Sequence, residues 1–420
     1  MNRAVNWDWE TQEKRIDLSP WREAFVWVEE FHASPDGETI AAIVKLEDES
    51  FGVCTNGETW SPTFEKAWHL RYSQDGRLMV LASIDGQWTV GVDGQVWDSR
   101  FDYVWSPQFS LDGAHIGIAF QEGMKYGVAI DDNPWEDRFS NMTDMALSDD
   151  GRHSAATVQT VNFSEGDIFT FEKGAFTAAV DGKPWKRPFV NVWGNTFDAS
   201  GEGLAAEVRL DRYLYTIAVN GVPWEQTFGS VWEPCFKPGS DSVSAPVRTP
   251  TGWTLAEDGF PLWKTRFQQC WHHQYSPDAR DVAAIVAPEF GKWTVALNGQ
   301  PWRLRVNNLL TDMVFSPDGR RIAAAAKDND QWTVVVNDQR WQNRFDRLWP
   351  PVFSPDSRHV AAKVQKDDYY TLVVDDRIWI HGCDTIWPPI FSPQGDKVLI
   401  RSIDNGTYFR RVLPVADLLH

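Results

Sequence analysis

Adjacent imidazoles can ligate a metal or move a proton near neutral pH, and His272-His273 is the one such pair in this 420-residue chain. On a strand, neighbouring side chains point to opposite faces, so the two do not chelate one ion together. His69 occupies the equivalent place in an earlier repeat and is read the same way. Thr143-Asp144-Met145 and Thr311-Asp312-Met313 put carboxylates at one level of the repeat, four units apart, too far to share a proton or an ion. His69, Asp144, His272, His273 and Asp312 are therefore expected to line a hydrated channel or its mouth, where water tolerates charge.

Cys54, Cys235, Cys270 and Cys383 stand far apart, without a CxxC, a CxxCH or a cysteine–histidine cluster. Metal, haem and iron–sulfur ligation have no basis in that spacing, and four buried thiols are expected. There is no G-x-S-x-G elbow, P-loop, helix-opening GxGxxG or H-E-x-x-H. The chain reads as a non-enzyme without cofactors.

The elements that hold these residues come from a repeat. It is clearest in the segments 313–349 and 348–379, and it is anchored on the residue before an SPDG-type turn: Ala33, Tyr72, Phe109, Leu147, Phe197, Phe236, Tyr275, Phe315, Phe353 and Phe391. A period near 38 residues is the length of one four-stranded propeller blade. Segments like VFS, RIAAAA, WTVVV and RWxxRFDxxW read as strands A to D. Ser-Pro-Asp-Gly joins A to B, and Asn-Gly or Asp-Gly pairs such as Asn56-Gly57 and Asp93-Gly94 join C to D as tight hairpins. The predicted fold is all-β, a single propeller of about ten four-stranded blades over 19–420, with a tail at 1–18. The last repeat supplies only A, B and C, so the N-terminal PWREAFVW is expected to complete it and remove two exposed edges.

Of the 24 tryptophans, 21 recur at three places in the repeat: the start of strand D, four residues before the anchor, and the start of strand C. Packing of blades about 10 Å apart accounts for that recurrence without a ligand. Trp7 and Trp9 lie outside the repeat and read either as a docking peptide or as packing on a blade edge. The insertion at 162–174 carries Phe163, Phe169 and Phe171, too apolar for a free loop, and is expected to cover its own blade or a partner.

A net charge of −19 argues against nucleic acid and anionic membranes, and no apolar run is long enough to insert directly. The B-to-C connections carry Glu47, Asp48, Glu49, Asp328, Asp330, Asp367 and Asp368, which either steer a basic partner or are solvated turns.

SPDG turns, alanine-rich B strands and TVVVNG-like C strands make the repeat similar to the WD-like propeller repeat of TolB-type proteins. The tryptophan-rich, all-propeller composition further resembles the tryptophan-rich cytoplasmic subunits of Tmc-type transmembrane redox complexes of sulfate-reducing bacteria. What that resemblance implies is a cofactor-free scaffold subunit, cytoplasmic and peripherally attached to the inner membrane. Its implied partners are iron–sulfur, membrane and multihaem cytochrome subunits that pass electrons toward sulfate reduction. The alternative is a stand-alone propeller binding a small molecule or glycan in its channel. A propeller hydrolase or lyase is disfavoured, because the channel-mouth positions are mostly Trp and Pro.

Overall fold

The structure, a computed structural model, describes residues 3–163 and 166–419. The fold is all-β: ten antiparallel four-stranded sheets, a ten-bladed β-propeller. Nine of the sheets are each one sequence repeat, and the tenth joins the last repeat to an N-terminal strand. Blade 8 serves as the example, with strand A Leu309–Phe315, B Ile322–Asp328, C Gln331–Val336 and D Gln339–Arg340. The blades fall into two compact units, one formed by the chain up to Thr63 and from Gln274 onward, the other by Phe64–His273. Blades 2 to 6 belong to the second unit and blades 1 and 7 to 10 to the first, with the division inside strand Gln269–Tyr275.

Strand B is the buried centre of every blade. Ile322 to Ala326 are almost inaccessible, and small alanines let the next blade approach closely. In the second unit, Met79 and Leu81 of blade 2 pack with Val104, Ile116 and Phe120 of blade 3; in the first, Ala323 and Ala325 pack with Val360, Ala362 and Val364. The tryptophans at the start of D fill the same layer, edge-on to the phenylalanine four residues later in Trp135–Phe139, Trp185–Phe189 and Trp263–Phe267.

The turns do more than reverse the chain. At the A-to-B turn of blade 8, the Ser316 hydroxyl donates to Asp318 (2.6 Å) and accepts from the Arg321 amide (2.9 Å). At the C-to-D turn both residues have positive φ, as at Asn56 and Gly57, and the first side chain accepts the amide that opens strand B (Ile40 N to Asn56 Oδ1, 2.9 Å). The same bond recurs down to blade 9, where Val360 donates to Asp375. Where Asp replaces the glycine, its carboxylate reaches the preceding blade: Asp376 accepts from the amides of Gln342 and Asn343 (2.7 and 3.0 Å).

Two features differ from what the sequence predicts. Strand D is not continuous through RWxxRFDxxW: two residues pair, the chain bulges away, and pairing resumes at one bridge such as Trp332–Phe345. Nor does PWREAFVW supply the missing strand. Glu13–Asp17 pairs antiparallel with Thr407–Pro414 and completes blade 10, so part of the expected tail belongs to a blade. Pro20 favours helix initiation, and Ser19–Ala24 forms a short helix that buries Trp21.

Candidate functional site

Strand A carries one residue more than strand B pairs with. In blade 2, Trp68 and Arg71 oppose Leu81 and Met79, and equivalent shifts occur in blades 1, 3, 4, 5 and 8. The extra residue lies three before the anchor and has positive φ: Glu30, His69, Ser106, Asp144, Gly194, His272 and Asp312. Bulges re-aim side chains, and Asp and His tolerate this conformation better than branched residues do. Blade 6 has Glu233 at this position, and blades 9 and 10 have Pro350 and Pro388 in a strand A broken into two short pieces.

Four of the five expected channel-lining residues, His69, Asp144, His272 and Asp312, thus share one structural position. His272 is exposed. His273 turns inward to the Ser244 hydroxyl (Nε2 to Oγ 2.8 Å), and burial, with His272 beside it, pushes its pKa down to about 4. Asp144 is held by Asn195, whose backbone and side-chain nitrogens each lie 3.0 Å from its Oδ2, while burial raises its pKa.

The charged residues that the sequence reading passed over lie opposite, at the fourth position of strand B. That position is Ile43, Leu81, Ala119, Ile285 and Ala325 in five blades, Thr157 in blade 4 and Pro246 in blade 6, but Glu207 in blade 5, Lys363 in blade 9 and, where strand B begins one residue earlier, Arg401 in blade 10. A charge interrupting an apolar B strand was the available signal. Lys363 places its ammonium 4.3 Å from the Trp349 ring centroid and 4.9 Å from that of Tyr370, and burial lowers its pKa. Arg401 donates to the carbonyls of Ser34 and Pro388, and burial lowers its pKa to about 10. Glu207 makes no hydrogen bond to any described residue, and burial, then Glu233 and Asp144, push its pKa up to about 8.

The expected partner-binding residues are scattered. Asp328 is buried and bound to Arg340 (2.8 Å) and Asn307 (2.7 Å), so it is not on a rim. Asp330, Asp367 and Asp368 occupy positive-φ positions of two-residue turns, and Asp48 accepts from Ser50 in its own turn. Glu47 is exposed and Glu49 pairs with Lys45. In the insertion, Phe163 and Phe171 close over Phe176 of their own blade, while Phe169 in helix Ile168–Glu172 is 80% exposed. Trp7 and Trp9 stack on each other at 6.2 Å, and Lys397 donates to the Trp9 carbonyl.

Three histidines outside the sequence reading, His115, His153 and His359, bond the carboxylates of Asp131, Asp181 and Asp375 at 2.5–2.6 Å and brace the C-to-D turns. The four thiols are free; Cys54, Cys270 and Cys383 are buried, Cys235 is half-buried, and burial raises all four pKa values. Among the described residues no group of three or more His, Cys, Asp or Glu could hold a metal ion, and no helix is long and apolar enough to cross a membrane.

No protein-family model matches the chain, and no curated protein matches it. Among solved structures it is similar to a crystal structure of the eukaryotic initiation factor, at TM-score 0.46 and 13% identity over 79% of this chain and 91% of that one. It is also similar to the tricorn protease, at TM-score 0.32 and 13% identity over 90% of this chain, which spans about half (51%) of that one.

Proposed function

We propose that the chain is a non-catalytic protein-interaction subunit, attached peripherally at the cytoplasmic face of the inner membrane. Its partners are the iron–sulfur, membrane and multihaem cytochrome subunits of an electron-transfer complex of the sulfate-respiration type. The observation that supports an interaction role is a run of neighbouring aromatic rings in blades 2 and 3. Trp68, Trp88, Tyr103, Trp105 and Tyr126 follow one another with centroids 6.2, 5.7, 6.1 and 6.0 Å apart. All lie where strands A and C begin, and Trp68 and Tyr103 are among the exposed large side chains. Aromatic rings left partly in water at one end of a blade, over a fully buried core, are the kind of surface that anchors protein partners. The redox partner set rests on the tryptophan-rich composition and repeat type.

A photo-crosslinking residue at position 68 or 103 tests this in native membranes. The reading expects crosslinks to redox subunits from these positions and none from position 260, an exposed phenylalanine on strand D of blade 6. Equal labelling from all three positions, or none, contradicts it. Binding of a small molecule is the second reading, and the carboxyl groups of blades 4 to 6 favour it.

A further inference from the structure

We infer that the unit Phe64–His273 carries a binding site for an organic ammonium or guanidinium ion, formed by Asp144, Glu207 and Glu233 with Trp193 and Trp232 beside them. The inference does not depend on the partner reading above.

Glu207 stands in strand B of blade 5, directly across the ladder from Trp193, so the two side chains share one face of the sheet. Its carboxylate lies over the bulge glycine: a Cβ on Gly194 would sit 3.1 Å from Glu207 Oε1 and 3.4 Å from Pro234 Cδ, the residue after Glu233. Asp144 reaches the same bulge from blade 4 through the amide of Asn195. Three carboxyl groups from three successive blades therefore gather around one turn of strand A, and their mutual repulsion is felt at Glu207.

None of the three carboxyl groups forms an ion pair with Lys, Arg or His among the described residues, and Glu207, only 9% exposed, accepts no hydrogen bond. Asn195, equally buried at 9%, provides an independent sign. Its Nδ2 donates to Asp144 and Thr157, which leaves its Oδ1 buried with no donor. A buried acceptor without a donor costs about 1–3 kcal/mol, so the Asn195 Oδ1 points to a donor from outside the chain.

The donor that fits is a cation, because a positive charge favours the ionised form of Glu207 that burial, Glu233 and Asp144 oppose, and an organic one, because Trp193 stands across the ladder from Glu207 and Trp232 adjoins Glu233. Trp193 is 39% and Trp232 44% exposed, and Trp232 stacks flat on Trp253 at 5.8 Å and 12°. Indole faces beside carboxylates suit an ammonium or guanidinium with an apolar body, which gains cation–π attraction and charge-assisted hydrogen bonds together.

The test titrates the full chain with n-butylammonium and with arginine amide by calorimetry, against sodium and calcium chloride at matched ionic strength. The inference expects saturable one-to-one binding of an organic cation and none of calcium. Glu207→Gln is expected to weaken it about tenfold or more, Glu233→Gln and Trp232→Ala several-fold, and Asp312→Asn, the bulge carboxylate of blade 8, not at all. Binding of arginine amide alone assigns the site to guanidinium groups, and binding of both to organic cations generally. No saturable binding, calcium binding as tight as the amines, or unchanged affinity in Glu233→Gln and Trp232→Ala overturns the inference. The last two variants alter exposed side chains and keep the test valid should Glu207→Gln fail to fold.

Discussion

Glu207 is the residue whose behaviour is most sharply predicted. Its pKa rises in the folded chain from an ordinary value of 4.5 to about 8, so the native state holds the proton more tightly than the unfolded state. The associated stabilisation is complete below about pH 4.5 and is lost as pH climbs toward 8. The loss is roughly 2–4 kcal/mol, taking about 1.4 kcal/mol per pKa unit and discounting for water that reaches the carboxyl. Glu207→Gln removes this dependence, so denaturant midpoints of the two proteins are expected to coincide near pH 4.5 and to favour the variant at pH 8.5. A wild-type profile flat across that range contradicts the burial. Gly194→Ala probes the same spot from the backbone. A φ of 62° and a 3.1 Å approach to Glu207 predict a loss of about 1–2 kcal/mol in the same measurement. The sequence made the equivalence of His69 with His272, and of Asp144 with Asp312, visible, because repeats align residues without a structure; that all four share one position came from the structure. The sequence did not show the positive φ they share, since a bulge leaves no mark in a pattern of residue types.

At the scale of the element, the part least visible in advance was the break in strand D. The hydrophobic pattern continues from Trp341 to Phe345, yet the intervening carbonyls leave the sheet and must find donors elsewhere. Arg344 supplies them: its Nη1 reaches the carbonyls of Trp341, Gln342 and Asn343 at 2.5–3.0 Å, and the Thr333 hydroxyl, itself 3.0 Å from the Asn343 carbonyl, helps. Arg266 and Thr254 repeat the arrangement in blade 6. The Arg before the Phe and the Thr after the Trp were legible as recurrent letters, but only coordinates show that they meet. Arg344→Ala is expected to cost about 1–3 kcal/mol of stability in urea unfolding, and Arg344→Lys to recover part of it, because an ammonium brings three N–H donors to carbonyls that the single nitrogen Nη1 now meets. The completing strand was anticipated in principle and misplaced in sequence, since EKRID is polar and only half-buried. Deleting residues 1–17 leaves Thr407–Pro414 as an open edge and removes carbonyls of Asp8 and Thr11 that hold the buried Arg410. Lower melting temperature and self-association on a sizing column are expected, and an unchanged monomer with an unchanged melting temperature refutes the role of Glu13–Asp17.

For the whole molecule, ten blades were countable from the sequence because each carries its own turn chemistry, alanine-rich centre and aromatic wedge, and every level repeats the same message. Function was not countable in that way. The repeat gives the scaffold, while the residues that break it, such as Glu207, Lys363 and the exposed phenylalanine of the insertion, distinguish one blade from another. The central claim is that this scaffold works by holding protein partners. Its most direct test is purification of the chain from native membranes in mild detergent, with identification of what accompanies it by mass spectrometry. Stoichiometric recovery with iron–sulfur, cytochrome and membrane subunits is expected; recovery of the chain alone from the soluble fraction contradicts a partner-holding role.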